Sequence, residues 1–90
     1  MSDAGAPPAL GGPTESAVIV DNRGLLCAQG ILRLMRALGP LPAGRLVRVL
    51  STDPAAEHDY PAWCRNTGHT FLRHERQDGV IVSLLRKRSA

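Results

Sequence analysis

The chain has 90 residues, 43% of them hydrophobic, and a formal net charge of +3, which suits one small domain. Its eleven basic residues are scattered between positions 23 and 88, and the one compact run is 86–88. This pattern lacks the dense basic and aromatic stripe typical of nucleic-acid-binding domains, so direct nucleic-acid binding is not expected. Docking of an acidic partner protein or, less directly, tRNA is the alternative for the basic surface. No stretch is apolar for long enough to span a membrane, and we expect a soluble cytoplasmic protein.

Residues 1–16 differ in composition from the rest of the chain. They contain three prolines and three glycines, and Leu10 is their only sizeable apolar side chain. Such a segment cannot offset the entropy of ordering itself, so a disordered tail is predicted. It also lacks the basic start and apolar run of a signal peptide. Residues 17–88 are predicted to form a single domain.

The first half of the domain predicts a strand, a helix and a second strand. Ala17–Asp21 is short and β-branched, and the turn signal Asn22-Arg23-Gly24 follows it. From Cys27, apolar residues recur at helical spacing until Gly39-Pro40, which ends the predicted helix. Arg45–Leu50 then predicts the second strand.

A second helix follows. Asp53-Pro54 is a strong helix start, because the carboxylate can accept a hydrogen bond from a first-turn amide and proline needs no intrahelical partner there. The helix is expected to run to about Asn66, with Gly68 as its C-terminal glycine. Pro61 inside it is expected to bend or split the helix, with Asp59 as a cap for the second half.

The chain closes with a predicted β-hairpin. Residues 70–76 and 80–86 are expected to be strands, and Gln77-Asp78-Gly79 between them contains a favoured tight turn. The order is therefore β-α-β-α-β-β. We predict an α+β fold, a two-layer α/β sandwich with two helices on one face of a four-stranded mixed sheet.

The last strand carries apolar side chains on both faces. Val80, Val82 and Leu84 alternate with Ile81 and Leu85. Two interpretations follow: loops and the N-terminal tail partly cover the strand, or its open face docks a partner or a second copy.

Cys27 is the candidate reactive residue, because it opens the first helix. The unsatisfied amides and the macrodipole at a helix N-terminus favour thiolate, the nucleophilic form. Arg23 is expected to add to the positive field, and Gly24 to let the loop turn and leave the sulfur at its tip. The alternative is a small apolar residue packed under the helix, near the stripe formed by Ile31 and Leu34.

Two cysteines in a reducing compartment predict neither a structural disulfide nor a zinc site. Cys64 lies beside Trp63 on the second helix, where packing explains it. A resolving role toward Cys27 would require the two Cα atoms to lie within about 7 Å.

The run Asp21-Asn22-Arg23-Gly24-Leu25-Leu26-Cys27 resembles the Asp-x-x-Gly-x-x-Cys signature of the TusA/SirA sulfur-carrier family. Thr52-Asp53-Pro54, Asp59-Tyr60-Pro61 and the closing hairpin are also similar to that family. The resemblance covers residues 17–87 in the right order and spacing. It implies the family's fold, and it places the nucleophile on Cys27 and a supporting role on Asp53.

The chain departs from the family directly after the cysteine. The family continues Cys-Pro-x-Pro, whereas this chain has Cys27-Ala28-Gln29-Gly30. Proline would stiffen the first turn, while Gly30 costs about 1 kcal/mol relative to alanine in a helix interior, so a softer helix start is expected. Gln29 offers a polar group near the sulfur.

The resemblance implies that Cys27 accepts sulfane sulfur as a persulfide from a donor, such as a cysteine desulfurase, and passes it to an acceptor protein. Relays of this kind feed tRNA thiolation, molybdenum cofactor assembly or sulfur oxidation. They need no metal and no cofactor, because the partner proteins supply the chemistry.

Two other functions are compatible with the sequence. The missing motif prolines and the two-faced last strand are compatible with a non-catalytic binding module or regulator that keeps the fold. A thiol–disulfide redox protein is less well supported, because the chain has no Cys-x-x-Cys pair.

Overall fold

The computed structural model describes residues 17–89 of the chain. The elements in chain order are β1 Val18–Asn22, α1 Cys27–Leu38, β2 Leu46–Ser51, α2 Ala56–Thr67, β3 Thr70–Gln77 and β4 Val80–Arg86. All six lie where the sequence predicts them, with ends that differ by a few residues at most. The predicted tail, residues 1–16, lies outside the described residues.

The four strands form one mixed sheet in the order β1-β2-β4-β3. β1 and β2 run parallel, while β4 pairs antiparallel with β2 on one side and with β3 on the other. The parallel pair needs a crossover connection, which α1 provides. The predicted α+β fold, two helices on a four-stranded mixed sheet, is confirmed.

The core lies between the sheet and the two helices. Alternate strand residues point into it, so that Val20 pairs with Val49, and Val49 with Ser83, across three neighbouring strands. The buried residues that form this cluster are Val20, Cys27, Leu34, Leu38, Val47, Val49, Ala56, Tyr60, Cys64, Ile81 and Leu85. Both helices contribute to the one cluster, so they pack on the same face of the sheet.

Helix α2 differs from the prediction in two ways. It begins at Ala56 rather than at Asp53-Pro54, since residues 54 and 55 form a turn. It is also one continuous helix with Pro61 inside it, so the predicted split is wrong. Tyr60 and Cys64, both 1% exposed, lie on either side of the proline. Their burial keeps this segment helical, because tertiary packing supplies most helix stability in proteins.

The β3–β4 connection is the predicted tight turn. Asp78 and Gly79 both have positive φ, 52° and 80°, as a type I′ hairpin turn requires. On the sheet face away from the helices, Leu84 is buried while Ile19 is 59% exposed. Docking of a partner on this face stays a prediction, and the alternative involves the tail, which is outside the described residues.

The basic run 86–88 binds backbone carbonyl oxygens at the end of the molecule opposite the β3–β4 turn. Lys87 Nζ donates to the carbonyls of Leu38 and Leu41 at 2.9 Å, beside the C-terminus of α1. Arg88 donates to the carbonyl of Thr67 at 2.8 Å, at the C-terminus of α2. Cations at these positions satisfy carbonyls that lack intrahelical partners. The run therefore has a structural role. Within residues 17–89, no helix is long and apolar enough to cross a membrane.

Candidate functional site

Two loops meet at the edge of the sheet where the parallel strands β1 and β2 end. The first loop, residues 23–26, leads into α1, and the second, residues 52–55, leads into α2. The Gly24 amide donates to Thr52 Oγ1 at 2.9 Å and ties the loops together. Gly24 has a φ of +84°, which L side chains rarely adopt, so glycine is required for this turn.

Asp53 joins the starts of the two helices with its two carboxylate oxygens. Oδ2 accepts from the Cys27 amide at 2.8 Å, and Oδ1 accepts from the Ala55 amide at 3.0 Å. A carboxylate at this position satisfies an unpaired amide and complements the positive end of the α1 dipole. The predicted supporting residue therefore lies directly on the backbone of Cys27.

Gln29 also binds the start of α1. Its Oε1 accepts from the Leu26 amide at 3.0 Å, which is one half of a capping box. The side chain expected to lie near the sulfur is thus engaged by the backbone. Gln29 and Asp53 together cap a helix whose own N-cap residue, Leu26, has no polar side chain.

Arg23, expected to support the thiol with positive charge, is paired with a carboxylate in this structure. Its guanidinium binds the Asp21 carboxylate, with nitrogen-to-oxygen distances of 2.8 and 2.6 Å. This pairing holds the pKa of Asp21 at about 2. Both side chains are about half exposed, and the pair faces solvent.

The expectation of an exposed, ionised Cys27 was wrong. The residue is only 6% exposed and belongs to the core cluster. Burial, followed by the facing carboxylate of Asp59 and the charge of Asp53, raises the pKa of the thiol to about 12. At the first position of α1 the side chain lies on the buried face of the helix. There the two carboxylates and desolvation outweigh the helix dipole.

Asp59 is the site residue that the sequence analysis missed. It lies in the first turn of α2, and its carboxylate helps to raise the pKa of the thiol; it caps no second helix segment, because α2 is continuous. A signal was available: parallel neighbouring strands bring the first turns of the helices that follow them to the same edge of the sheet. An acidic residue early in α2 was therefore placed to face the start of α1.

Cys64 is a packing residue in this structure. It is 1% exposed, and burial raises the pKa of its thiol to about 11. Both cysteines are free thiols.

An open cleft of about 300 Å³ lies between the two loops and is lined by residues 24–26 and 52–54, which include Leu26 directly before Cys27 but not Cys27 itself. Leu26, directly before the cysteine, is 67% exposed. The thiol is thus sheltered, yet it lies directly behind a loop that presents an apolar side chain to solvent.

Comparison with known proteins identifies the family of the chain. The family model described as Sulfurtransferase TusA matches residues 18–87. The sulfur carrier protein TusA of Pseudomonas syringae is 33% identical over 80 residues, which cover 86% of this chain and 95% of that protein. TusA of Pseudomonas putida is 32% identical over 71 residues, covering 79% and 89% of the two chains.

A solved structure supports the fold independently. The crystal structure of a SirA-like protein from Desulfitobacterium hafniense superposes with a TM-score of 0.65 at 24% identity, covering 80% of this chain and 99% of that one. Family match, relatives and fold agree on residues that include the Cys27 loop and both helices. The chain therefore belongs to the TusA family, whose named members are sulfur carrier proteins.

Proposed function

We propose that this chain accepts sulfane sulfur as a persulfide on Cys27 and relays it to an acceptor protein. A sulfur-carrier role implies a donor and an acceptor in general terms. The observation that supports the proposal is the position of Cys27: it is the first residue of α1, its amide is bound by Asp53, and it directly follows the loop that lines an open cleft. We propose a cysteine desulfurase as donor, and tRNA thiolation, molybdenum cofactor assembly or sulfur oxidation as the pathway served.

Both sulfur-transfer steps, from donor to Cys27 and from Cys27 to acceptor, are redox-neutral. The Cys27 thiolate attacks the outer sulfur of the donor's persulfide, a new S–S bond forms, and the donor's own S–S bond breaks with its electron pair leaving on the donor thiolate. In the second step an acceptor thiolate attacks the outer sulfur on Cys27, which leaves as a thiolate. No metal or external oxidant enters the balance.

The raised pKa means that docking must activate the thiol. With a pKa of about 12, Cys27 is protonated near neutral pH and is a poor nucleophile and a poor leaving group. Displacing the carboxylate of Asp59, or placing a cation of the partner beside it, would reverse this. Leu26, exposed in front of the thiol, is the apolar contact point for such a partner. A thiol that stays protonated until a partner docks is protected from adventitious oxidation in the cytoplasm, where we expect the relay to operate.

Mass spectrometry tests the proposal directly. After incubation with a cysteine desulfurase and cysteine, the intact protein should become about 32 Da heavier, one sulfur atom, and peptide mapping should place the adduct on Cys27. Cys27→Ser should abolish the adduct and the matched Cys64→Ser variant should retain it. An adduct that maps to Cys64, or its absence with every sulfur donor supplied, contradicts the proposal.

A non-catalytic binding module is the second candidate. The burial of Cys27 and its raised pKa favour it, since a docking role needs no accessible sulfur. It predicts that Cys27→Ser leaves partner binding and the cellular phenotype unchanged. If Cys27→Ser still binds the partner but the cellular phenotype is lost, the chain is a carrier and not a binding module.

A further inference from the structure

Four residues from four elements form a buried polar cluster next to the start of α1. Its centre is the hydroxyl of Tyr60, on α2, which lies 3.1 Å from Asn22 Nδ2 at the end of β1 and 3.1 Å from Ser51 Oγ at the end of β2. Asn22 Nδ2 also donates to the carbonyl oxygen of Gly30, on α1, at 2.9 Å. Tyr60, Asn22 and Ser51 are 1%, 1% and 2% exposed. Bonds made here are shielded from water.

Gly30 is the residue that admits the Tyr60 hydroxyl. A Cβ atom at position 30 would lie 2.7 Å from Tyr60 Oη and 2.9 Å from Asn22 Nδ2, closer than real Cβ contacts allow. Helix propensity alone disfavours glycine at this position. The close approach of α2 to α1 therefore accounts for a glycine in the first turn of α1.

The cluster reaches Cys27 through the first turn of α1. The Gly30 amide donates to the Leu26 carbonyl at 2.9 Å, which closes the turn that contains Cys27. Asn22 Nδ2 donates to the carbonyl oxygen of the same Gly30, so both backbone polar groups of this residue are hydrogen-bonded. On α2, Tyr60 directly follows Asp59, whose carboxylate helps to raise the pKa of the thiol. Tyr60 thus joins α2, next to Asp59, to the turn of α1 that contains Cys27.

We propose that Tyr60 is a positioning residue for Cys27: through Asn22 and Gly30 its hydroxyl holds the first turn of α1 in the place that keeps the thiol sheltered against α2. This deepens, and rests on, the proposed sulfur-carrier role of Cys27. Loosening this contact releases the sulfur without unfolding the domain.

The charged groups that face the sulfur are the carboxylates of Asp59, on α2, and Asp53, before α2. Arg23, in the loop before α1, is bound to Asp21. Because Tyr60 sets the distance between the first turns of the helices, removing its hydroxyl should change how strongly the carboxylates act on the thiol.

Alkylation with iodoacetamide across a pH series tests the proposal, with Cys27 and Cys64 followed as separate peptides. Tyr60→Phe should speed Cys27 alkylation by about two- to tenfold, the effect of one buried hydrogen bond, and lower its pH midpoint. Cys64, one helical turn further along α2, should react unchanged. Ser51→Ala is the matched control, since it removes a bond to Tyr60 that does not lead to α1, and it should leave Cys27 unchanged.

Gly30→Ala is the second variant. Its Cβ would lie 2.7 Å from Tyr60 Oη, so the Tyr60 hydroxyl must move away from α1. This variant too should speed alkylation of Cys27 selectively, and the double variant with Tyr60→Phe should show less than the product of the two effects. Equal acceleration of both cysteines in Tyr60→Phe, or no change at Cys27, overturns the proposal. The readout uses no sulfur donor, so a failure here is distinct from a failure of Cys27 to carry sulfur.

Discussion

At the scale of the residue, opposing influences act on the sulfur of Cys27. The N-terminus of α1 favours the thiolate, whereas burial and the carboxylates of Asp59 and Asp53 favour the neutral thiol. Burial and the carboxylates prevail, and the pKa of the Cys27 thiol is raised to about 12. Sequence position alone pointed the other way, because it shows the helix dipole but neither the depth of the sulfur nor the charge that α2 brings to it.

Asp59→Asn should lower the pKa of Cys27. The substitution removes the carboxylate that faces the thiol but leaves burial, the larger cause, in place. The midpoint of the alkylation rate against pH should therefore fall from about 12 but stay above the ordinary value of 9.0. The rate at pH 8 should rise accordingly, because the thiolate is the reacting form.

The control for this measurement is Glu57→Gln, two residues earlier on α2. Glu57 binds Arg76, so its loss should leave the Cys27 profile unchanged. An unchanged midpoint in Asp59→Asn would show that the carboxylate does not act on the sulfur.

Some site residues were recognisable from the sequence and others were not. Cys27 and Asp53 follow strand ends and carry local helix-start signals, so the chain alone identifies them. Asp59 and Tyr60 act across the gap between two helices, and that contact exists only once the sheet has placed α2 beside α1. From the sequence alone, Gly30 only lowers the helix propensity of α1. The structure explains the glycine, because a Cβ at this position would collide with the Tyr60 hydroxyl.

At the scale of the element, the sequence predicts a helix end correctly when the residues that form the end bind to that helix alone. Gly68 ends α2 with a φ of +88°, as predicted for a C-terminal glycine. α2 begins at Ala56 rather than at Pro54 because the amides of Ala56 and Glu57 bond to carbonyls three residues back instead of four. Asp53 still caps this turn through the Ala55 amide, and its other oxygen binds the Cys27 amide. A shared cap cannot be read from the residues of one helix.

Gly68→Ala should destabilise the domain by about 1–2 kcal/mol, the cost of a Cβ in left-handed backbone. Gly68→Asn should cost less, since asparagine tolerates this conformation better. Both losses of stability are measured by thermal unfolding, in which 1 kcal/mol shifts the midpoint temperature by about 4–8 °C in a domain of this size. A Cβ here would lie 3.6 Å from Arg88, an ordinary contact. An equal or larger loss for asparagine would therefore indicate crowding rather than backbone strain.

At the scale of the whole molecule, charge is divided between two ends. The acidic residues among positions 17–89 all lie toward the end that holds Cys27: Asp21, Asp53, Glu57, Asp59, Glu75 and Asp78. Of the arginines at that end, Arg23 and Arg76 are each bound to a carboxylate, and Arg33 lies close enough to Asp21 to lower its pKa. The basic run 86–88 lies at the other end. A partner that docks over the thiol therefore meets a negative surface, the reverse of what the net charge of +3 suggests.

This polarity predicts that Cys27 discriminates between charged disulfides. In a Cys64→Ser background at pH 9 and low salt, cystamine, which is cationic, should react about fivefold faster than the anionic dithiodiglycolate. Such a ratio corresponds to about 1 kcal/mol of attraction for one charge pair in water. At 1 M salt the ratio should approach one, because screening then acts over about 3 Å. Faster reaction of the anionic reagent would contradict the assigned polarity.

The architecture itself was predictable because its signals are local and agree with one another. Strand lengths, helical spacing and the Asp78-Gly79 turn together leave few arrangements for so short a chain. The order of strands in the sheet and the depth of Cys27 depend on long-range packing. The sequence carries that information only indirectly.

We propose that Cys27 carries sulfur and stays protonated until a donor docks. The most direct test compares the rate of the persulfide adduct on Cys27 at pH 7 with a loaded cysteine desulfurase and with inorganic polysulfide at the same concentration. We predict a rate at least about tenfold higher with the protein donor, and only the polysulfide rate should rise, about tenfold per pH unit, as the thiol ionises. Equal rates from the two donors, or no adduct from the protein donor, would contradict the account.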